Sequence, residues 1–552
     1  MSRPRAVPVV VWLIVLLHLA VMLGQTAVFP NVRSPDERQH VDLILQVRQG
    51  DAWPWPGPGT AYVTQGVTAG GFVDADSLDG PQHLADRDDV PPRGERPSYL
   101  DAGGPATMTA EGPDGVAPVF NQLVQHPPLY YLMGAGVVSL LPGWQDAPLD
   151  QVWLLLRWWN ALLALPLPLL LFATARRLRL PEPLPVAAAL APLAVPELTH
   201  LESAVNNDNL LVVLGACATL LVTRVLTGDL GRRTALLLGL VSTLALLTKG
   251  FALMFPAWIL LAYLVAGWRH RERLRSAVTS LLVVAVTTVP GVAWWVRNVV
   301  VHGMLQPHGT HATPPDLTPV FGWSDGGHVW LGRFAERMVT LFFVQDHAAA
   351  RAHDVSWWMA RVALVLVLAG LTTALVRRPV PRLTALVLLF PVPALAGIVA
   401  RGSWEQFAAF GDVGAAQQGR YLYTGLVGLL VIALAGAAVL RPAWRRAAPL
   451  VVLVLAGGMH LAYQHDVWRL YWWPADGGGL GAFGRAVAAV GHWYPFPAAV
   501  LVAVVAAGLA LALAVGVWCA RTAVGPTPPG PGTGPGRAAG TPGAATDPVV
   551  AA

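Results

Sequence analysis

Charged residues make up only 12% of this 552-residue chain, about half the roughly 25% usual for soluble domains. Cysteine occurs twice, at Cys217 inside an apolar run and at Cys519 at the end of another. Two such cysteines exclude a disulfide framework and carry no redox signal. No internal repeat of fixed period is visible. The net charge of +5 is carried by short basic clusters between apolar runs, so it does not point to nucleic acid. What the chain does have is 55% hydrophobic residues, in runs long enough to cross a bilayer, roughly 17–25 residues each. The reading is an all-α polytopic membrane protein. Its 47 prolines and 55 glycines partly reflect a bias toward Ala, Val, Leu, Arg, Gly and Pro, and are not each read as kinks.

Positive charge sets the topology. Basic residues up to Arg5 precede apolar Val7 to Leu23. This segment reads as an uncleaved anchor rather than a signal peptide, because every later span needs consistent parity. With the N-terminus inside, the clusters Arg176-Arg177-Leu178-Arg179, Arg232-Arg233, Arg269 to Arg275, Arg377-Arg378 with Arg382, Arg441 with Arg445-Arg446, and Arg521 all fall on the cytoplasmic side. That requires about 12 spans, at 7–24, 152–175, 184–200, 208–226, 234–248, 251–267, 276–296, 357–376, 383–400, 420–440, 448–463 and 497–518. Two local features follow. The apolar stretch His126 to Leu141 must not span, so it is expected as a juxtamembrane or re-entrant helix on the outer face. Residues 234–267 as one helix would be about 50 Å long at 1.5 Å per residue, too long for one crossing. Two short crossings are expected there, with Thr248-Lys249-Gly250 as the outer turn. Large outer loops remain at 25–151, 297–356, 401–419 and 464–496. The first is acidic, with an irregular Pro/Gly/Asp-rich middle at about 54–118. The tail from Thr522 is low in complexity and expected to be disordered in the cytoplasm.

Several motifs collect on that outer face. Ser34-Pro35-Asp36-Glu37-Arg38-Gln39-His40 sets two carboxylates and a histidine at the mouth of the first span. Charge at this depth is costly, and the pair suits a general base. On a helix starting at Pro35, Asp36 and His40 share one face; Asp36 is the preferred base, with Glu37 or His40 orienting the acceptor. The bland alternative is a solvated pair at a helix end. An acidic pair can also hold a divalent cation, but no second ligand set of suitable spacing accompanies it, so no metal or other cofactor is expected. His126-Pro127-Pro128-Leu129-Tyr130-Tyr131 reads either as an interfacial anchor or as a pocket for a lipid phosphate or its sugar. Asn206-Asn207-Asp208-Asn209 opens an inward span. Asn207 and Asp208 serve either as helix caps or in recognising sugar hydroxyls. Lys249, Arg297 (in Trp294-Trp295-Val296-Arg297-Asn298) and Arg420-Tyr421 (after Gln417-Gln418-Gly419) each can snorkel or anchor. Three cations on the side opposite to the positive-inside bias argue for an anionic ligand. Trp53, Trp55, Trp323 and Trp330 are candidate sugar-stacking rings or interfacial anchors.

In their order along the chain, Pro-Asp-Glu with a nearby His, Pro-Pro-Leu-Tyr-Tyr, Asn-Asp-Asn, Leu-Thr-Lys-Gly, Trp-Val-Arg-Asn and Gln-Gly-Arg-Tyr resemble the GT-C superfamily of membrane glycosyltransferases over about residues 7–440. The likeness is to protein O-mannosyltransferases, the lipid A aminoarabinose transferase, and bacterial relatives of unknown acceptor. The resemblance implies a catalytic base in the first outer loop, at Asp36 or Glu37. It also implies a basic residue on a polyprenyl phosphate, at Lys249, Arg297 or Arg420. Two departures leave the acceptor open. His126 stands where the aminoarabinose transferases have a lysine, and only loop 464–496 and the tail stand where the family has a C-terminal soluble domain.

The expected organisation is a first transmembrane helix (1–24), an acidic outer loop with a juxtamembrane helix (25–151), a transmembrane catalytic core (152–296), an outer loop (297–356), C-terminal transmembrane helices (357–518) and a cytoplasmic tail (519–552). The expected reaction moves a sugar from a polyprenyl-phosphate donor to an acceptor hydroxyl on a glycan, lipid or protein outside the membrane. Two other classes compete: a flippase or transporter of the polyprenyl-linked sugar, which calls for inverted repeats and broken helices, and a non-catalytic scaffold of envelope assembly.

Overall fold

Lipid offers no hydrogen bonds to a peptide group, so apolar runs that enter it close their own as helices. The computed structural model describes residues 6–50, 62–69, 82–112, 115–307, 318–344 and 355–525. Among them, ten helices are long and apolar enough to cross a membrane: Val9–Val28, Leu149–Arg177, Asp208–Leu226, Gly250–Arg269, Arg271–His302, Val355–Arg377, Arg382–Phe410, Gly419–Val439, Pro442–Tyr471 and Ala498–Val524. The pair Leu184–Ala194 and Pro196–Glu202, bent by 72°, makes an eleventh if it counts as one span. The chain is a multi-pass, mainly helical membrane protein. The exact count of 12 is not confirmed among the described residues. The Arg232–Leu246 helix has 15 residues, roughly 22 Å against a hydrocarbon core of about 30 Å. The bend at 195 has a local cause: Val195 takes φ −125°, ψ 83°, the non-helical conformation favoured before a proline.

The stretch expected not to span contains the helix Leu129–Val138, ten residues long and too short to cross. It packs tightly on Glu37–Arg48: a Cβ on Gly134 would lie 2.6 Å from Ile44 Cδ1. Tyr130 and Tyr131 are fully buried in that contact instead of lying in an interfacial belt. The polypeptide turns at Thr248-Lys249 between Arg232–Leu246 and Phe255–Arg269, as the length argument requires. The expected loops hold more helix than their polarity suggested. Gly327–Phe343 lies within 297–356, Pro442–Tyr471 runs on past 463, and Gly479–Trp493 follows it. In the first loop, Thr109–Gly112 and Gly115–Pro118 pair as an antiparallel ribbon. Trp53, Trp55 and the tail beyond 525 lie outside the described residues.

The basic clusters meet at one end of the bundle. Arg177 Nε donates to Thr227 Oγ1 (2.7 Å), Arg273 Nη1 to Gly228 O (2.6 Å) and Arg269 Nη1 to Thr384 Oγ1 (2.5 Å). Asp36, Asp208, Lys249 and Arg420 meet at the other.

Candidate functional site

Asp36 is the N-cap of the Glu37–Arg48 helix and takes a left-handed conformation, φ 56°, ψ 13°. The helix therefore starts at Glu37 and not at Pro35, and the shared face expected for Asp36 and His40 does not form. The His40 N–H still donates to Asp36 O (3.0 Å), but its Nδ1 lies 3.2 Å from the Tyr131 hydroxyl. Left-handed backbone at Asp36 swings its carboxylate out of the helix, toward Gln122 Nε2 (3.2 Å) and Arg420 Nη2 (3.3 Å). Its side chain stays 36% exposed. Asn206 supports the turn: its Nδ2 donates to Pro35 O (3.1 Å), and its Oδ1 accepts from the Asp208 N–H (2.9 Å).

Glu37 sits elsewhere. It is completely buried, and Arg157 grips both its oxygens, Nε to Oε1 at 2.8 Å and Nη2 to Oε2 at 2.6 Å. The Val205 N–H adds a third bond to Oε1 (3.0 Å). Arg157 spends its remaining donors on Thr26 O, Phe29 O and Pro30 O. Of the two adjacent carboxylates, Asp36 alone reaches the cation cluster. Sequence reasoning missed Arg157, although a single arginine inside the apolar run 152–175 was a readable signal. It also missed a second buried chain, in which Ser34 Oγ meets His200 Nε2 (3.0 Å), His200 Nδ1 meets Glu197 Oε2 (3.1 Å) and the Tyr463 hydroxyl donates to the same Oε2 (2.9 Å).

Asp208 is the first residue of Asp208–Leu226 and does not cap that helix. Its Oδ1 is 2.6 Å from Lys249 Nζ, and its Oδ2 is 3.9 Å from Arg420 Nε. Lys249, the chain's single lysine, lies 5.3 Å from the Tyr421 ring centre and 5.5 Å from that of Phe251, within cation–π range. Arg420 reaches the cluster because Gly419 packs against the Gly327–Phe343 helix, where a Cβ would lie 2.3 Å from Phe342 N. Asp36, Arg420, Asp208 and Lys249 thus form one chain of alternating charge, assembled from four distant parts of the sequence. Asn207 and His126 border it. Asn207 Nδ2 lies 3.5 Å from the Tyr131 hydroxyl, and burial together with the nearby Lys249 charge pushes His126 well below the usual imidazole range. Burial, followed by Lys249, His126 and Arg420, does the same to His40.

The chain is not saturated. Asp208 Oδ2, Arg420 Nε, Asn207 Oδ1 and His126 Nδ1 are buried without a hydrogen-bond partner among the described residues. The 3.9 Å between Asp208 Oδ2 and Arg420 Nε is an ion-pair distance and too long for a hydrogen bond. Besides Glu37, two expected residues fall outside the cluster. Arg297 donates to Asn298 Oδ1 (3.4 Å) and is not joined to these groups among the described residues. Trp330 is buried, donates to Ser403 Oγ (3.0 Å) and packs edge-on to Trp404, so it presents no free face to a sugar. Trp323 is 56% exposed.

Residues 125–295 match the model of the family described as dolichyl-phosphate-mannose-protein mannosyltransferase. The match bears out the resemblance over less than a third of the chain, the part holding His126, Asp208 and Lys249. No curated protein sequence matches. Among solved structures, ArnT from Cupriavidus metallidurans bound to undecaprenyl phosphate is similar at 15% identity, covering 93% of this chain and 78% of that one, with a TM-score of 0.39. The same protein in the apo state gives 15% and 0.40. The archaeal oligosaccharyltransferase AglB from Archaeoglobus fulgidus, in complex with an inhibitory peptide and a dolichol-phosphate, gives 10% identity over 93% of this chain and 56% of that one, with a TM-score of 0.36.

Proposed function

We propose that this protein is a membrane glycosyltransferase that moves a sugar from a polyprenyl-phosphate donor to an acceptor hydroxyl at the extracytoplasmic surface. The observation that carries the reading is the unsaturated charge chain. Arg420 lies beside Asp36 and is joined through Asp208 to Lys249, with buried polar atoms around them that lack hydrogen-bond partners among the described residues. Buried polar groups are normally satisfied, so a polar ligand fits this site better than an apolar one. The family match over residues 125–295 supports a lipid-phosphate sugar as that ligand. The gathering of basic clusters at the opposite end supports placing the site outside.

Asp36 accepts the proton of the acceptor hydroxyl as its oxygen attacks the anomeric carbon. The bond from that carbon to the phosphate oxygen breaks, and the polyprenyl phosphate leaves with the electron pair. Lys249 and Arg420 bind the phosphate and stabilise the charge that grows on it, so no general acid and no metal is required. His40, Tyr131 and Asn207 hold the wall of the site, and Tyr421 carries Lys249 on its ring. The acceptor class and the sugar are those for which the rest of the pocket selects.

The test uses the purified protein with a radiolabelled polyprenyl-phosphate sugar and follows release of free polyprenyl phosphate. Asp36→Asn is expected to lose about 10²–10⁴-fold in turnover, the usual worth of a general base, while still binding donor. Full turnover in that variant sinks the assignment. Movement of intact donor across vesicles, with no release, replaces it by a transporter.

A further inference from the structure

A groove of about 630 Å³ opens between the helices Val9–Val28, Pro442–Tyr471, Gly479–Trp493 and Ala498–Val524. Most of its wall is aliphatic, but Gln25, His460 and Gln464 face it as well. At the end of the bundle that carries Asp36, it meets a bowl of about 610 Å³ lined by His465, Arg469 and Trp473. Gln464, Trp468 and Phe483 line both, so the two form one depression, apolar below and aromatic and basic at the mouth. It shares no residue with the Asp36 cluster.

We infer that this depression binds a lipid with an anionic, phosphate-type headgroup, its chains in the groove and its phosphate at Arg469. Three observations point that way. Arg469 is exposed and makes no ion pair or hydrogen bond among the described residues, whereas nearby arginines are matched: Arg87 with Asp89, Arg485 with Asp476, and Arg96 with Asp150. An unmatched cation between two tryptophans complements a negative headgroup at the interface. Below it, Gln464 Oε1 and His460 Nε2 are buried without a hydrogen-bond partner among the described residues. At 1.5 Å per residue they lie about 7 Å and about 13 Å along the helix from Arg469. The first depth suits the polar linkage between a lipid's headgroup and its chains. Gln464 is also held in place, its Nε2 donating to Gln25 Oε1 (2.9 Å).

The full-length protein in nanodiscs tests this with two photoreactive probes, phosphatidylglycerol and phosphatidylcholine carrying the reactive group in an acyl chain. Labelled peptides are mapped by mass spectrometry. Phosphatidylglycerol is expected to label peptides of 479–509 in preference to phosphatidylcholine. Arg469→Ala should reduce that labelling about fivefold, the effect of one interfacial arginine on an anionic lipid. Val505→Trp, which fills the groove from its rim, should abolish labelling by both probes. Arg485→Ala removes a cation from the same end that is already paired, and should change nothing. Equal labelling by the two lipids in the unaltered protein overturns the inference, because the groove is then filled by bulk bilayer. An equal loss in Arg469→Ala and Arg485→Ala overturns it as well, since the attraction is then general surface charge.

Discussion

Glu37 gives both carboxylate oxygens to Arg157, takes a further bond from the backbone and has no exposure. One residue earlier, Asp36 holds its cation at 3.3 Å and keeps about a third of its side chain open. The two regions use the same chemistry, carboxylate against guanidinium, to different ends. Around Glu37 every donor of Arg157 is spent, two on the Glu37 carboxylate and three on carbonyls at the end of the first helix, which ties these segments together. Around Asp36 the charges alternate without closing, and four buried polar atoms stay unpartnered. A saturated buried pair resists change, because removing one partner strands the other. An unsaturated one is a place where a ligand completes the bonding.

The comparison breaks most sharply in the response to substitution. Asp36→Asn should cost about 10²–10⁴-fold in turnover and leave the melting temperature in detergent nearly unchanged. Glu37→Gln should do the reverse. Loss of a buried partner costs on the order of 3–5 kcal/mol of stability, read as poor yield and a lowered melting temperature, with whatever folds retaining its turnover. If the two variants behave alike, the division into a working and a structural carboxylate is wrong.

Lys249 sharpens the same contrast from inside the cluster. Lys249→Gln should lower turnover by about 10²–10³-fold, as for loss of one transition-state donor, and should lose stability because Asp208 is left buried and unpaired. Adding Asp208→Asn is expected to restore the melting temperature but not the turnover. Rescue of both would reduce Lys249 to a structural partner.

Acid should act next, with a smaller effect. His40 and His126 are held well below the ordinary imidazole range by burial and nearby cations. The folded protein therefore resists a proton that the unfolded chain accepts below about pH 6.5. Their contribution to stability is full above that pH and falls as pH drops through it. Melting temperatures at pH 7.5 and 5.5 should differ less in His126→Gln than in the unaltered protein; an unchanged difference assigns the acid loss to other groups. Least of all, Tyr131→Phe removes one hydroxyl bond to His40, worth about 1 kcal/mol, and should change turnover by several-fold at most.

Much of this site was legible in the sequence because the parity of spans tells which helix ends share a membrane face. Parity was enough to bring Asp36, Asp208, Lys249 and Arg420 to one layer. It does not say which way a side chain turns within that layer. Sequence therefore favours Asp36 as the base but keeps Glu37 beside it as an orienting group, whereas the left-handed residue at position 36 separates the two. Sidedness and the family resemblance group Arg297 with the cations, and Trp330 reads as a sugar-stacking ring or an interfacial anchor, whereas its indole is committed to Ser403. The count of about 12 is not confirmed, because two of the expected spans are a pair of helices bent at a proline and the 15-residue helix Arg232–Leu246. Lys249 carried a signal not used: it is alone among arginines, and a compact ammonium placed where the chain nowhere else uses lysine is a local choice.

The most direct measurement is a structure of the complex with a polyprenyl phosphate. The account predicts the phosphate between Lys249 Nζ and Arg420, within hydrogen-bond distance of both, with Asp36 still open to an incoming hydroxyl. A phosphate bound elsewhere, with the 2.6 Å pair between Lys249 and Asp208 intact, would contradict it.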